Sequence, residues 1–509
     1  MRIPRIPFAR YSPGGTRSPG GTRTPAGTAA PGSTKAPGGT AAPVGARNGG
    51  APRTGRTRLT VAVLATVVSL APVAACGGSS GGSGDSKSLE MWTFKQSHVA
   101  GLRDAAAVFK QQTGITVRIE AYGPDDAYTT KVQAAAKTHD LPDVLEVHSD
   151  GEDFALGATG IARNIADDVD SAWSGQYQKG VRISGTVTAA KYKESLPGDS
   201  KSHGVARGQR FSVPFTSGTF GIVLANKKTL AAAGITRPPA SWEEFLADLK
   251  ATTGKNAKTG GVSLGLKVKA TGLTWVLQPL AFAQLGREKY HALFGKDAAA
   301  DFASPDGLKA LGLYDQLQPY WMPGTQSLDI DAADQAFAQG KSAWDIGGTF
   351  TLAFLQQNGM APDDVMAFGL PGPQAGAVPK PALGPLALTG LAVSSTSAYA
   401  GNAEKWMKFL AQPAVASTFA RQATEVPATE LGPDAAQVMG PTLADMTKTF
   451  AGTPATTYDP GDNSFRPPTY DQDSMGEVLA DLTPLGQKSV AATGKAMAKL
   501  NNSFWATSK

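Results

Sequence analysis

The sequence predicts an α/β protein of two lobes joined by crossing strands, with a cleft between them. Three observations lead there. Past a polar leader, strand patterns alternate with amphipathic helix patterns, as in a largely parallel sheet covered by helices. About 420 residues remain after that leader, more than one compact core normally holds. Residues 211–215 (FSVPF) then read as a strand that breaks at Thr216-Ser217-Gly218 and resumes over 219–225, the pattern of a chain leaving one sheet for another.

The leader accounts for the basic character of the whole. Residues 1–57 are Gly, Pro, Thr, Ala and Arg in a loose SPGGTR-like repeat, which cannot form a packed core. Arg53, Arg56 and Arg58 precede an apolar run over 59–75 that ends Val73-Ala74-Ala75-Cys76. Basic flank, apolar core and small residues before a cut are the parts of a secretory signal peptide. The expected domain plan begins with 1–75 as disordered leader plus signal and 76–88 as a Gly/Ser tether. Val44 is an alternative start. Cys76 is the only cysteine, so no intrachain disulfide forms. The full chain carries 48 basic and 42 acidic residues. All ten basic residues of 1–75 leave with the leader, so the remainder has 38 against 42, net −4. The leader's charge therefore argues nothing for nucleic acid.

Taken in order, 89–94 is a first strand, 101–112 a helix with Leu102, Ala105, Ala106 and Phe109 on one face, and 115–120 a second strand. A helix near 128–137 leads to a third strand at 142–147. Phe94, Lys95 and Asp150 sit beyond carboxyl ends of these strands, where crevices of such sheets bind ligands. Residues 175–210 are polar and poorly patterned and are expected to be a loop or insertion. Ser241-Trp242-Glu243-Glu244 is a capping box that opens a helix. Trp275 opens an apolar helix and reads equally as core or as an exposed ring platform. The stretch 336–350 (AFAQGKSAWDIGGTF) is a helix end, a strand and a glycine corner at Gly347-Gly348, with Thr349 and Phe350 just beyond. Such a corner suits a small polar ligand, or is an ordinary turn with a core Phe.

Five segments, in order, resemble the extracellular sugar-binding proteins of bacterial ABC importers, the solute-binding group that includes the maltodextrin-binding protein. They are FKQQTGITVRIE, PDVLEVHSD, the long stretch from FSVPFTSGTFGIVLANKK to ASWEEFLADL, AFAQGKSAWDIGGTF, and LAVSSTSAYAGNAEKWMKFLAQ with its continuation. Val-Ala-Ala-Cys resembles a lipobox, which implies lipidation at Cys76 and attachment to the outer face of the cytoplasmic membrane. The resemblance implies a two-lobed periplasmic-binding-protein fold with hinge strands and a central ligand cleft. It also implies a monomer that captures a sugar by lobe closure and hands it to the transmembrane subunits of a permease. The lobes are expected at 89–215 with 346–393, and at 216–345 with 394–509. Hinges are expected near Thr216, Asp345 to Gly347, and Leu388 to Ser394. The residues implied to contact ligand are Phe94, Lys95, Asp150, Thr216, Ser217, Gly218, Gly348, Thr349 and Phe350, and Trp275 is added on its position. Departures from the maltodextrin binder at Val147, Gly218 and Phe350 leave the sugar open.

Other classes fit less well. A glycoside hydrolase needs two acids on opposite sides of a bond, whereas Asp150, Glu152 and Asp153 share one loop. No G-x-S-x-G and no H-E-x-x-H occurs, and Asp329, Asp331 and Asp334 lack the glycine and terminal Glu of a calcium loop. No cofactor, metal or nucleic acid is expected. A binder of a peptide, polyamine or osmolyte is the alternative.

Overall fold

The computed structural model describes residues 87–123, 125–253 and 261–507. Cys76 and the leader lie outside them. Eleven strands run through the described residues. β1 (Ser88–Thr93), β2 (Thr116–Ala121), β3 (Val144–His148) and β4 (Val213–Gly218) come first. β5 (Phe220–Asn226), β6 (Val262–Ser263), β7 (Trp344–Gly348) and β8 (Val365–Gly369) follow. β9 (Ala382–Leu383), β10 (Leu386–Val393) and β11 (Thr457–Tyr458) complete the set.

Side-chain alternation decides how the first lobe is layered. Leu89 and Met91 of β1 join a core with Leu102 and Phe109 of helix Val99–Thr113. Trp92 and Phe94 instead join a second core with Tyr128 and Val132 of helix Asp125–Thr138. A period of two thus covers both faces of one sheet. That sheet runs β2-β1-β3-β10-β4, with β1 parallel to β2 and β3 and β10 antiparallel to β3 and β4. The second lobe is built on β6-β7-β5-β8, whose core gathers Val223, Leu224, Trp344 and Ile346 with Trp242 and Phe245 of helix Trp242–Thr252. The capping box forms there: Ser241 Oγ accepts from Glu244 N at 3.2 Å, and the Glu244 carboxylate accepts from Ala240 N at 2.7 Å, one residue earlier than the usual partner.

The chain crosses between lobes three times. Gly218 still pairs with Leu386 in the first sheet, while Phe220 pairs with Gly348 in the second, so Thr219 is the crossing. The return lies between Leu383, in the second core, and Leu386. The last runs from residue 430, whose amide bonds Gln176 in the first lobe, to helix Pro441–Thr447, which places Leu443 and Met446 in the second core.

This corrects the expected lobe boundaries. Residues 346–383 belong to the second lobe, because β7 pairs with β5 and β6, and β8 with β5. Helices Ala400–Leu410 and Pro413–Ala423 belong to the first, because they carry Trp406, Phe409 and Phe419 into its core. Asp345 to Gly347 is therefore no hinge but the interior of a sheet, and Leu388 to Ser394 lies just past a crossing. Residues 175–210 are also more ordered than expected. They include helix Ala189–Ser195, and the Arg210 guanidinium ties their backbone by donating to the carbonyls of Arg182, Ser184 and Ser212 at 3.0–3.1 Å.

Helix Gln472–Ala480 approaches the turn Lys269–Thr271 so closely that a Cβ at Gly476 would lie 2.0 Å from the Lys269 carbonyl oxygen. That turn leads into the segment carrying Trp275. Ala improves intrinsic helix propensity by about 1 kcal/mol over Gly, but the backbone clash outweighs it. Gly476→Ala should destabilise the fold by about 1–3 kcal/mol in urea denaturation; an unchanged midpoint would mean the helix is not held against the turn.

Candidate functional site

The Thr219 crossing brings both sheets to one place. A Cβ at Gly218 would lie 1.8 Å from Thr349 Oγ1, so only glycine allows β4 to meet the corner after β7. Thr349 N donates to Thr219 O at 3.1 Å. The Thr219 and Thr349 hydroxyls are both buried here without a hydrogen-bond partner.

Beside this junction stand three aromatic rings of the second lobe. Phe220 and Trp275 stack in parallel, with centroids 5.2 Å apart and planes 2° apart. Phe350 meets both edge-on, at 6.2 and 6.1 Å. Trp275 is buried, whereas Phe220 and Phe350 are half-buried, so the wall has a dry backing and a partly open face. Trp275 lies in a π-helical turn, Gly272–Leu277, whose carbonyl at Trp275 packs against Gly221.

A buried charge chain reaches this wall from the first lobe. The Lys95 ammonium lies 4.8 Å from the centre of the Phe350 ring and 3.9 Å from Glu425 Oε1. The same carboxylate oxygen is 3.2 Å from His98 Nε2, an ion pair rather than an aligned hydrogen bond. His98 Nδ1 is 2.9 Å from Glu146 Oε1, and Thr93 Oγ1 donates to Glu146 Oε2 at 2.5 Å. Burial alone would lower the His98 pKa, but Glu146 and Glu425 together raise it to about 9. Against its own burial, Glu425 is held below the usual carboxylate range by His98 and Lys95. Two cations and two anions leave the chain neutral.

The corner holding Phe350 has its own support. Asp334 and Asp345 are fully buried, and burial together with the other's charge pushes Asp334 well up. One oxygen of each, Oδ2, lacks a donor, which a single proton shared between the carboxyls supplies. Ser263 Oγ donates to Asp345 Oδ1 at 2.6 Å, and Gly348 N donates to Thr351 Oγ1 at 3.2 Å, fixing the turn. These acids touch no open surface and are structural.

Of the residues singled out in the sequence, Lys95, Gly218, Trp275, Gly348, Thr349 and Phe350 gather at this junction. Phe94 stands at its margin: its ring is buried and stacked on His148 with centroids 4.4 Å apart, and its centre lies 5.9 Å from the Lys95 ammonium. Thr216 and Ser217 are buried between strands, Thr216 Oγ1 bonding Thr389 Oγ1 at 2.9 Å and Ser217 Oγ bonding Gln178 Nε2 and the Pro427 carbonyl. Asp150, with φ of 60°, accepts from Gly185 N at 2.9 Å and so anchors the 175–210 segment. Sequence reasoning missed Phe220, Glu425 and His98. Phe220 carried one usable signal, an aromatic directly after the broken strand; Glu425 carried none, since only the fold returns it to Lys95.

The sequence profile of the bacterial extracellular solute-binding proteins matches residues 95–417. This chain belongs to that family. The solute-binding protein is 25% identical over 295 residues to YcjN of Escherichia coli K12, described as an ABC transporter periplasmic-binding protein. The match covers 56% of this chain and 62% of that one, so the chain spans less than two thirds of this relative's length. Its fold is similar to that of a structure from work on xylan utilization by Caldanaerobius polysaccharolyticus, with TM-score 0.61, 18% identity, and 81% of this chain and 99% of that one covered. It is also similar to an ABC transporter solute-binding protein from Thermotoga lettingae bound with α-D-tagatose, with TM-score 0.59, 20% identity, and coverage of 82% and 100%. These neighbours share the two-lobed architecture.

The charge chain makes the solute-binding protein's stability depend on pH with a defined sign. Because the folded pKa of His98 is raised, its contribution is complete below about pH 6.5 and is lost as pH rises through about 9. His148, which Asp125 and Glu152 also raise to about 9 against burial, titrates in the same window. Urea midpoints should therefore fall across this range. His98→Gln should lower stability at about pH 6 by roughly 3 kcal/mol and flatten the slope. A slope unchanged in the variant would mean that His98 is not the buried cation.

Proposed function

We propose that this solute-binding protein captures a carbohydrate between its lobes and delivers it to the transmembrane subunits of an ABC importer. The observation that carries this reading is the wall of Phe220 and Phe350, backed by Trp275, with the Lys95 ammonium over the Phe350 ring at the crossing. A sugar ring offers an apolar CH face and a rim of hydroxyls, which call for an aromatic surface with a few fixed polar groups. Membership in an extracellular binding family, and the tagatose-bound and xylan-associated neighbours, support the same reading.

Capture works by population shift. Contacts that need both lobes exist only in the closed arrangement, so ligand favours it by its differential affinity. Lys95 couples the lobes directly, since its ammonium covers a Phe350 face where a sugar would stack. Binding there displaces the ammonium toward Glu425, which keeps it paired. We read the protein as a monomeric binder rather than an enzyme: its buried acid pair, Asp334 and Asp345, has no access to substrate. We further propose a lipid anchor at Cys76, carried by the leader reading. Among the described residues no helix is long and apolar enough to cross a membrane.

A thermal-shift screen of mono- and oligosaccharides tests the reading. At least one sugar should raise the melting temperature, and Phe350→Ala should weaken its binding by about tenfold or more. A shift with a peptide or polyamine and none with any sugar would overturn the carbohydrate assignment. Unchanged affinity in the variant would remove Phe350 from the site.

A further inference from the structure

A cavity of about 840 Å³ lies between helix Ala189–Ser195 with its following loop, in the first lobe, and residues 463–473 in the second. Arg466 lines it, with only 8% of its surface exposed. Its guanidinium is held rigidly: Nη1 donates to Asn463 Oδ1 at 2.6 Å and Nη2 to Gln278 Oε1 at 2.8 Å. Phe465 and Tyr470 flank it, with ring centres 5.2 Å from Cζ. Its Nε has no partner, and among the described residues no carboxylate pairs with it. The Nε itself is buried, so it is the uncompensated charge of the guanidinium, costly in a buried place, that would favour a carboxylate brought into the cavity.

The opposite wall adds Lys193 and Lys201, neither paired with an acid among the described residues. Four carboxylates also border the cavity. Glu194 is held by Lys191 at 3.1 Å, and Asp471 caps helix Gln472–Ala480 through Ser474. Asp199 and Asp473 stand exposed at the rim. The one deeply buried ionised group is thus a cation. It is also close to the aromatic wall, because Gln278, which accepts its hydrogen bond, follows Trp275 by a single turn.

We infer that this cavity receives a carboxylate substituent of the captured saccharide, with Arg466 as its anchor and Lys193 and Lys201 facing it from the other lobe. The inference rests on the carbohydrate reading and narrows it to uronate-bearing sugars. Ligand charge is read here, one helical turn beyond Trp275, rather than at Lys95, which Glu425, Asp125 and Asp331 already act on.

The test is calorimetry on the full chain with matched pairs: galactobiose and digalacturonate, cellobiose and cellobiouronate, xylobiose and glucuronosyl-xylose. One acidic member should bind at least about tenfold more tightly than its neutral partner, with the gap narrowing as sodium chloride is added. Arg466→Gln should abolish that preference and leave neutral binding in place. Should that variant fold poorly, the exposed pair Lys193→Gln with Lys201→Gln should still reduce the preference severalfold. Neutral sugars binding as well as their acidic partners would overturn the inference and leave the carbohydrate reading standing. Silence across every pair would overturn both. Inorganic phosphate alone stabilising the protein as strongly as a uronate would assign Arg466 to a free anion instead.

Discussion

Everything at the site follows from how closely two sheets meet at Thr219. With no side chain at Gly218, β4 can run into the corner formed by Gly348, Thr349 and Phe350, and any added carbon would collide with Thr349. The contact sets which groups can face one another. It puts the Phe350 ring of one lobe under the Lys95 ammonium of the other, and it strands two hydroxyls where backbone partners are already taken. A wider gap would hydrate those hydroxyls, and a bulkier residue would part the lobes.

Electrostatics distinguishes the crossing from the Arg466 cavity. Near the crossing, Lys95, Glu425, His98 and Glu146 neutralise one another within short distances, while Asp125 of the first lobe and Asp331 of the second also act on the Lys95 charge. A buried pair stripped of one partner would be strongly destabilising, so these residues hold one another in place. In the cavity, Arg466 is buried among aromatic rings with no such balance. On the proposed reading, stacking at one place and charge at the other would give the site two independent means of choosing among sugars.

The elements of this fold were legible from residue patterns, but their assignment to lobes was not. Alternation in residues 89–94 and the capping box at Ser241 are local signals and appear where expected. The strand at Trp344 reads the same whichever sheet it joins; pairing with β5 and β6 across about 80 to 120 residues decides it, and no local pattern carries that. Helices Ala400–Leu410 and Pro413–Ala423 illustrate the same point, since an amphipathic face does not say which core it covers. At the site, Phe350 was legible because a glycine corner and a ring adjoin in sequence. Phe94 and Lys95 show the limit: neighbours at a strand end, they differ in burial, the ring packing into the core while the ammonium reaches past it to the Phe350 ring. Glu425 lies over 300 residues from Lys95 and His98, and its role exists only in the folded chain.

The central claim is that solute joins the two lobes across the Thr219 crossing. Small-angle scattering of residues 77–509, with and without the tightest-binding sugar, tests this most directly. The account predicts a smaller radius of gyration with ligand, as the lobes turn about the three crossings. An identical scattering profile at saturating ligand would contradict it.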